Sequence, residues 1–270
     1  MELHGKNPSK NVIAIIPARY ASVRLPGKLL LEIGGKPLIL HTLGQAEKAR
    51  SVSRVIVATD DERIFNAVRK GGGEAVMTST EHRSGSDRIA EVAHDLPGRS
   101  IIVNVQGDEP MISPDTIDAA VDAFIADPKA DIATICEPVS HLHEELLNGN
   151  VVKVVVGEHG YAQYFSRSPM PFPREASLRY EGDPGCAISE NPELFSIFRK
   201  HTGIYVYRRE YLLEFTKMPQ TRLEKLEMLE QLRALENGAK IRVVDVDEHS
   251  IGVDTEEDFK LVTRMIESNE

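Results

Sequence analysis

The sequence predicts an α/β protein: a mostly parallel sheet with helices on both faces, carrying a smaller antiparallel insert. Three observations predict it. Over the first half of the 270-residue chain, short apolar runs alternate with helix-like segments, and such alternation means parallel strands joined by crossover helices. The loop after the first apolar run is basic and the loops after two later runs are acidic, as expected of an open sheet whose ligand lies beyond the carboxyl ends of its strands. After about residue 138 the rhythm changes to that of a hairpin followed by a long Pro-rich stretch.

The elements follow in order. Residues 12–16 (VIAII) read as a buried strand, 38–50 as a helix, 55–59 as a strand and 62–70 as a helix. The pattern continues through a strand at 74–77, a helix near 87–95, a strand at 101–105, a helix at 114–126 and a strand at 132–136. Residues 151–156 and 161–165, joined around Gly157 and Gly160, read as an antiparallel hairpin in a second, smaller sheet. Residues 169–200, with PMPFPRE and EGDPG, predict a long irregular loop. Regular structure resumes with a strand at 202–207, one helix at 221–236 ended by Asn237 and Gly238, a strand at 241–246 and a closing helix at 255–266. The expected division is a nucleotide-binding α/β domain from residues 1–138 and 208–270, and a smaller subdomain at 139–207.

With 41% hydrophobic residues the chain can bury a substantial core. A formal net charge of −10 argues against nonspecific nucleic-acid binding. It leaves a nucleotide open, because remote charges are screened over roughly 8 Å at physiological salt. Cys136 and Cys186 form no C-x-x-C pattern, so neither a zinc site nor a disulfide framework is indicated. The polar segment 1–10 lacks the apolar stretch of a signal peptide, and no run approaches the ~18 apolar residues of a membrane span. A cytoplasmic protein with no membrane partner is the expectation.

The basic loop is PARYASVRLPGK, residues 17–28. It gathers Arg19, Arg24 and Lys28 at a strand end, where cations can hold phosphates; the other reading is a connector with solvated charges. It is neither a G-x-G-x-x-G fingerprint nor a P-loop. In NVQGDEP, residues 104–110, Asp108 and Glu109 follow a strand, and Gly107 allows close approach. Magnesium favours one or two carboxylates plus substrate phosphate oxygens; the alternative is an acidic turn ahead of a helix. In GVDTEED, residues 252–258, Asp254 could be a metal ligand or a helix start, and Thr255 with Asp258 resembles a capping box. HRSGSDR, residues 82–88, offers backbone amides at a helix start or a plain turn. In the helix at 221–236, Glu230 follows Leu226 by four and Leu223 by seven, on the leucine face; an inward carboxylate needs a partner. Gln231 would reach the same region. The other reading is a wet helix rim.

Together these segments form a recognisable set. PARYASVRLPGK, HRSGSDR, VQGDEP, YFSRSPMP, HTGIY, LEKLEMLEQLR and GVDTEED, in this order and spacing, resemble the 3-deoxy-manno-octulosonate (Kdo) cytidylyltransferases from about residue 12 to 266. The resemblance implies a Rossmann-like fold, the conversion of CTP and Kdo to CMP-Kdo and pyrophosphate for lipopolysaccharide assembly, magnesium, and a homodimer that uses the insert. It implies Arg19 and Lys28 on the triphosphate with Arg24 beside them, and Ser84 with backbone around Ala18 on cytosine. Asp108 and Asp254 would hold the metal, with Asp108, Arg19 and Lys28 catalytic. Gln106, Arg167, His201, Tyr205, Glu230 and Gln231 would surround the sugar, Gln106 also reaching the nucleotide. Arg167 suits the sugar carboxylate, while its other reading is a surface charge; His201 could be a strand cap and Tyr205 sheet packing. Val23 stands where the family has a small hydroxyl residue.

Overall fold

The fold follows from strands apolar on both faces. The computed structural model describes residues 11–22 and 24–268; the expectations for segment 1–10 and for Val23 lie outside the described residues. The strands are β1 (Val12–Ala18), β2 (Glu32–Ile33), β3 (Lys36–Pro37), β4 (Arg54–Thr59), β5 (Ala75–Met77), β6 (Ile101–Asn104), β7 (Ile132–Pro138), β8 (Lys153–Val156), β9 (Ala162–Ser166), β10 (Arg199–Arg208) and β11 (Ile241–Asp245). The helices are α1 (Leu38–Lys48), α2 (Glu62–Lys70), α3 (Gly85–His94), α4 (Pro114–Ala126), α5 (Arg174–Ser177), α6 (Pro184–Glu190), α7 (Arg209–Phe215), α8 (Arg222–Glu227), α9 (Glu230–Glu236) and α10 (Glu256–Ser268).

The main sheet runs β11-β7-β10-β6-β1-β4-β5. All neighbours along this path are parallel except β10, which is antiparallel to both β6 and β7. Alternation along β1 divides the core: Val12, Ala14, Ile16 and Ala18 pack with α1, α4 and Val262, while Ile13 and Ile15 pack with α3, α7 and α9. A strand covered on both faces has no polar positions, which is why VIAII reads as an unbroken apolar run.

Three expectations need correction. The β8–β9 hairpin is antiparallel as expected, but β8 also pairs with β10 at Lys153 and Lys200, so the hairpin extends the main sheet. β10 itself lies inside that sheet, so the insert and the main layer share a strand. Residues 169–200 are not a plain loop: α5, α6 and two 3-10 turns fill them, around Ile188 and Phe198 packed on Val139 and Leu146. Pro184 sits in the first turn of α6 with Asp183 as its cap, so the Pro residues start helices here.

The third correction concerns the helix at 221–236, which breaks in two. Met228 adopts a left-handed conformation (φ 54°) between α8 and α9, and Leu226 is exposed. The break is held from inside. Arg233 donates from Nε and Nη2 to the two carboxylate oxygens of Glu224 at 2.9 and 2.6 Å, both side chains are buried, and the guanidinium lies over Phe215 at 4.7 Å. Breaking such a pair leaves an uncompensated buried charge, which costs roughly 3–5 kcal/mol. Glu224→Ala is therefore expected to lower unfolding free energy by about 3 kcal/mol, read by urea titration; a loss typical of a surface carboxylate would show that the pair does not hold the break.

Candidate active site

The site lies beyond the carboxyl ends of β1 and β6, where the chain leaves the sheet in opposite directions. Residues 19–28 fold back on themselves: Gly27 N–H donates to Tyr20 O at 3.2 Å, and Gly27 takes φ +69° with the Tyr20 ring 3.0 Å from where a Cβ would stand. Arg63 covers the other side of that ring at 3.3 Å. Gly107 lets the β6 loop approach β1, since a Cβ there would lie 3.1 Å from Pro17 O. Thr42 donates to Gly107 O at 2.9 Å and fixes that approach.

These anchors bring three distant charges together. Lys28 Nζ donates to Asp108 Oδ2 at 2.6 Å, to Asp254 Oδ1 at 2.9 Å and to Val253 O at 2.8 Å. Arg24 pairs with the other oxygen of Asp254 at 2.7 Å. Burial opposes a charge on Lys28, but the two aspartates raise its pKa above the usual lysine value. Asp254 is likewise opposed by burial, yet Lys28 and Arg24 hold it below the usual carboxylate range. The two readings of 254–258 separate here: Thr255 and Asp258 form the reciprocal cap of α10, at 3.1 and 2.8 Å, while Asp254 turns its side chain to the site. Asp108 and Asp254 thus point at one shared cation, which in this structure is the Lys28 ammonium.

Two cavities lie at this rim, and the first opens from this point. One, of about 520 Å3, is lined by Ala18, Arg19, Arg24, Lys28, Ser84, Asp108 and Asp254. The other, of about 540 Å3, is lined by Arg167, His201, Tyr205 and Gln231. Gln106 and Glu230 line both. Every site residue expected from the sequence therefore faces one cavity or the other.

Glu230 reaches the cavities by a route the periodicity did not foresee. It opens α9 just after the Met228 break, and Ser86 Oγ on the first turn of α3 donates to it at 2.6 Å. Ser84 caps α3 by accepting from Asp87 N–H at 3.1 Å. Gln106 is held by donating to Gly203 O at 3.1 Å. Burial drives the pKa of His201 down to about 3, so the ring is neutral. Thr134 Oγ1 gives its proton to Ile204 O at 2.6 Å, so His201 Nε2, 2.9 Å from that oxygen, must carry the hydrogen. Nδ1 is left as an acceptor. Burial and the neighbouring Glu230 push the Tyr205 phenol up, so it stays a neutral donor. Arg167 is partly committed: Nε donates to Glu227 O at 2.8 Å and Nη1 to Gly149 O at 3.0 Å.

Sequence reasoning missed several residues. Arg88 is buried at the cavity lined by Arg19 and Lys28, on Asp60 at 2.6 Å; its signal was an Arg on the inner face of α3. Lys200 lies at the cavity lined by Arg167 and His201, between Glu145 (2.6 Å) and Glu137 (3.2 Å). Glu109, which the sequence already set beside Asp108 at the strand end, is buried at that same cavity and accepts from Ser250 Oγ at 3.0 Å.

The comparisons with known proteins agree with this geometry. The sequence model of the Cytidylyltransferase family matches residues 13–241. A 3-deoxy-manno-octulosonate cytidylyltransferase of Trichlorobacter lovleyi is 51% identical over 248 residues, covering 92% of this chain and 95% of that protein. The chain belongs to the 3-deoxy-manno-octulosonate cytidylyltransferase family. A second member, from Geobacter sulfurreducens, is 50% identical over 95% of this chain and 99% of its own. The solved structure of a CMP:2-keto-3-deoxy-manno-octonic acid synthetase complexed with CTP superposes with a TM-score of 0.85 at 40% identity, over 97% of this chain and all of that one. Among the described residues of this cytidylyltransferase, no helix is long and apolar enough to cross a membrane.

Glu109 gives a pH prediction. Burial and the nearby Asp108 raise its pKa to about 8, so it is a neutral acid at pH 7. The unfolded carboxyl releases its proton near pH 4.5, so between these values the native state holds the extra proton and stability falls as pH rises. Unfolding titrations at pH 5 to 8 in chelator should show this slope, and Glu109→Gln should flatten it; an unchanged slope in the variant would assign it elsewhere.

Proposed function

We propose that the chain transfers the cytidylyl group of CTP to Kdo, giving CMP-Kdo and pyrophosphate, the activated sugar for lipopolysaccharide assembly. The observation that carries this reading is the junction of two cavities at Gln106 and Glu230, with Lys28, Asp108 and Asp254 on the nucleotide side. CTP takes that side, with Ser84 and backbone around Ala18 on cytosine and Arg19, Arg24 and Lys28 on the triphosphate. Kdo takes the other side among Gln106, Arg167, His201, Tyr205, Glu230 and Gln231. Nη2 of Arg167 makes no hydrogen bond among the described residues and suits the sugar carboxylate.

Chemistry then needs only alignment and charge. The anomeric hydroxyl attacks the α-phosphorus in line, the new O–P bond forms as the hydroxyl proton passes to water, and the bond from the α-phosphorus to the bridging oxygen breaks to release pyrophosphate. Gln106 and Glu230, shared by both cavities, hold the sugar against the nucleotide. Arg19 and Lys28 stabilise the charge that builds on pyrophosphate. His201, neutral with Nδ1 open, accepts from a sugar hydroxyl and takes no part in proton transfer.

The carboxylates of Asp108 and Asp254 fit magnesium. They are hard oxygen donors already converging on one cation, and among the described residues no cluster of three or more His, Cys, Asp or Glu side chains forms an all-protein cage. Such a partial donor set suits an ion whose remaining ligands are phosphate oxygens and water. Bound there, magnesium supplies charge neutralisation and lowers the pKa of a coordinated hydroxyl. Lys28 would then turn from the aspartates to the triphosphate.

A cytoplasmic homodimer completes the reading. It is supported by the exposed Phe172, Leu178 and Ile197, all within the insert. Pyrophosphate release measured with CTP, magnesium and a panel of acid sugars should be fastest with Kdo; preference for a sialic acid would overturn the substrate assignment. Asp108→Ala should lower turnover by several orders of magnitude while CTP binding largely survives, and near wild-type turnover would remove Asp108 from the chemistry.

A further inference from the structure

Behind the sugar-side cavity lies a charge that the reaction above does not use. Lys153 on β8 is fully buried. Its ammonium donates to two backbone carbonyls, Asn148 O at 3.0 Å and Val151 O at 2.6 Å, and among the described residues it has no carboxylate partner. An ammonium out of water without a counter-ion is costly, so a Lys kept there for packing alone is a poor solution.

The two carbonyls bracket Gly149, whose own carbonyl accepts from Arg167 Nη1 at 3.0 Å. The turn at 148–151 is therefore gripped by two cations, Lys153 from below and Arg167 from the cavity side. Asn150, Val151, Val152 and Arg167 all line the cavity. Strand pairing places Lys153 opposite Ser166, the residue before Arg167, and opposite Lys200 on β10. The acid in this neighbourhood is spoken for. Glu227 accepts from Ser166 Oγ at 2.6 Å and from Arg167 N–H at 3.0 Å, and Lys200 is matched by Glu145 and Glu137.

We propose that Lys153 is a positioning residue: it shapes the 148–151 turn that holds Arg167 at the cavity, and its unmatched charge makes that cavity select an anionic sugar. This rests on the assignment of the cavity to an acid sugar and adds the source of its charge preference. Burial and the adjacent Arg167 lower the pKa of Lys153 to about 8, with Glu227 partly opposing them. Two like charges that strain against each other gain when an anion arrives.

The test compares Kdo with its C1 amide, an uncharged isostere, as a competitive ligand. Lys153→Met should raise the KM for Kdo about tenfold or more, leave the KM for CTP within about twofold, and barely change inhibition by the amide; Lys153→Arg should recover most of the loss. In an Arg167→Ala background Lys153→Met should do much less. Equal losses for acid and amide, or an unchanged KM for Kdo in a folded variant, would overturn the proposal. A second readout uses the wild type, so it stands even if the Met variant does not fold. Lys153 loses its charge above pH 8, so affinity for Kdo should fall as pH rises through that value while affinity for the amide stays level. Lys153→Arg, which does not titrate there, should flatten the profile and so separate Lys153 from Glu109. A level wild-type profile for Kdo would refute the proposal. Should the wild type prefer another acid sugar, only the substrate assignment fails, and the same comparison runs on that sugar and its amide.

Discussion

The ammonium of Lys28 between Asp108 and Asp254 is the constraint on which the site depends. It joins the loop after β1 to residues 80 and 226 positions further along the chain. Without a cation, two carboxylates at about 4 Å would repel by about 4 kcal/mol at an effective dielectric of 20. Lys28 removes that repulsion, and the fold is built to keep it there. Gly27 gives the backbone turn that delivers Lys28, Gly107 lets the Asp108 loop close on β1, and the cap of α10 leaves Asp254 unencumbered. In the proposed reaction the same oxygens would serve a divalent ion, and Lys28 would turn to the triphosphate.

The sugar half rests on backbone carbonyls instead of paired acids. A helix broken at Met228 exposes the last carbonyls of α8, and Arg167 uses one of them, Glu227 O, as an anchor. Helix ends leave such carbonyls without intrahelical partners, and a cation there is favourable. The break also makes Glu230 the first residue of a new helix, where a carboxylate is favoured by the helix dipole and can be reached by Ser86. One local distortion therefore positions both the cation and the anion that line this cavity. The buried Arg233–Glu224 pair keeps the distortion in place.

What could be read from the sequence follows from the range of each interaction. Strand and helix positions were legible because they depend on local periodicity, and the strand-end rule gathered Arg19, Lys28, Asp108 and Asp254 at one rim. The break at Met228 was not legible: LEKLEMLEQLR has strong helix propensity throughout, and only the tertiary pair Arg233–Glu224 with the turn at Met228 overrides it. Glu230 faces inward as expected, but through the break and not through a leucine face, since Leu226 is exposed. β10 was readable as a strand, yet its place between β6 and β7 depends on pairing across about 100 residues. Segment 169–200 reads as loop because its helices, of four and seven residues, start at Pro and Asp and are too short to show a period. Lys153, in the hairpin strand VVKVVV, carries no sequence sign of burial beyond its apolar neighbours.

The charges that remain around the two cavities explain how an acid sugar can approach a polyanion at all. On the sugar side the titratable groups are mostly silenced. His201 is neutral by burial, Glu109 is held protonated by burial beside Asp108, and Lys200 is matched by two carboxylates. Glu230 is the remaining acid, softened by the Ser86 hydroxyl. Against it stand Arg167 and Lys153, whose partners are chiefly neutral carbonyls. On the nucleotide side Lys28 and Arg24 are balanced by Asp108 and Asp254, but Arg19 has no ion pair among the described residues. Positive charge therefore stands at both cavities, on Arg167 in one and on Arg19 in the other, while Glu230 places a carboxylate where they meet. In the proposed reaction the acid sugar and the triphosphate would each meet a cation before they meet each other, an arrangement a neutral sugar would not require.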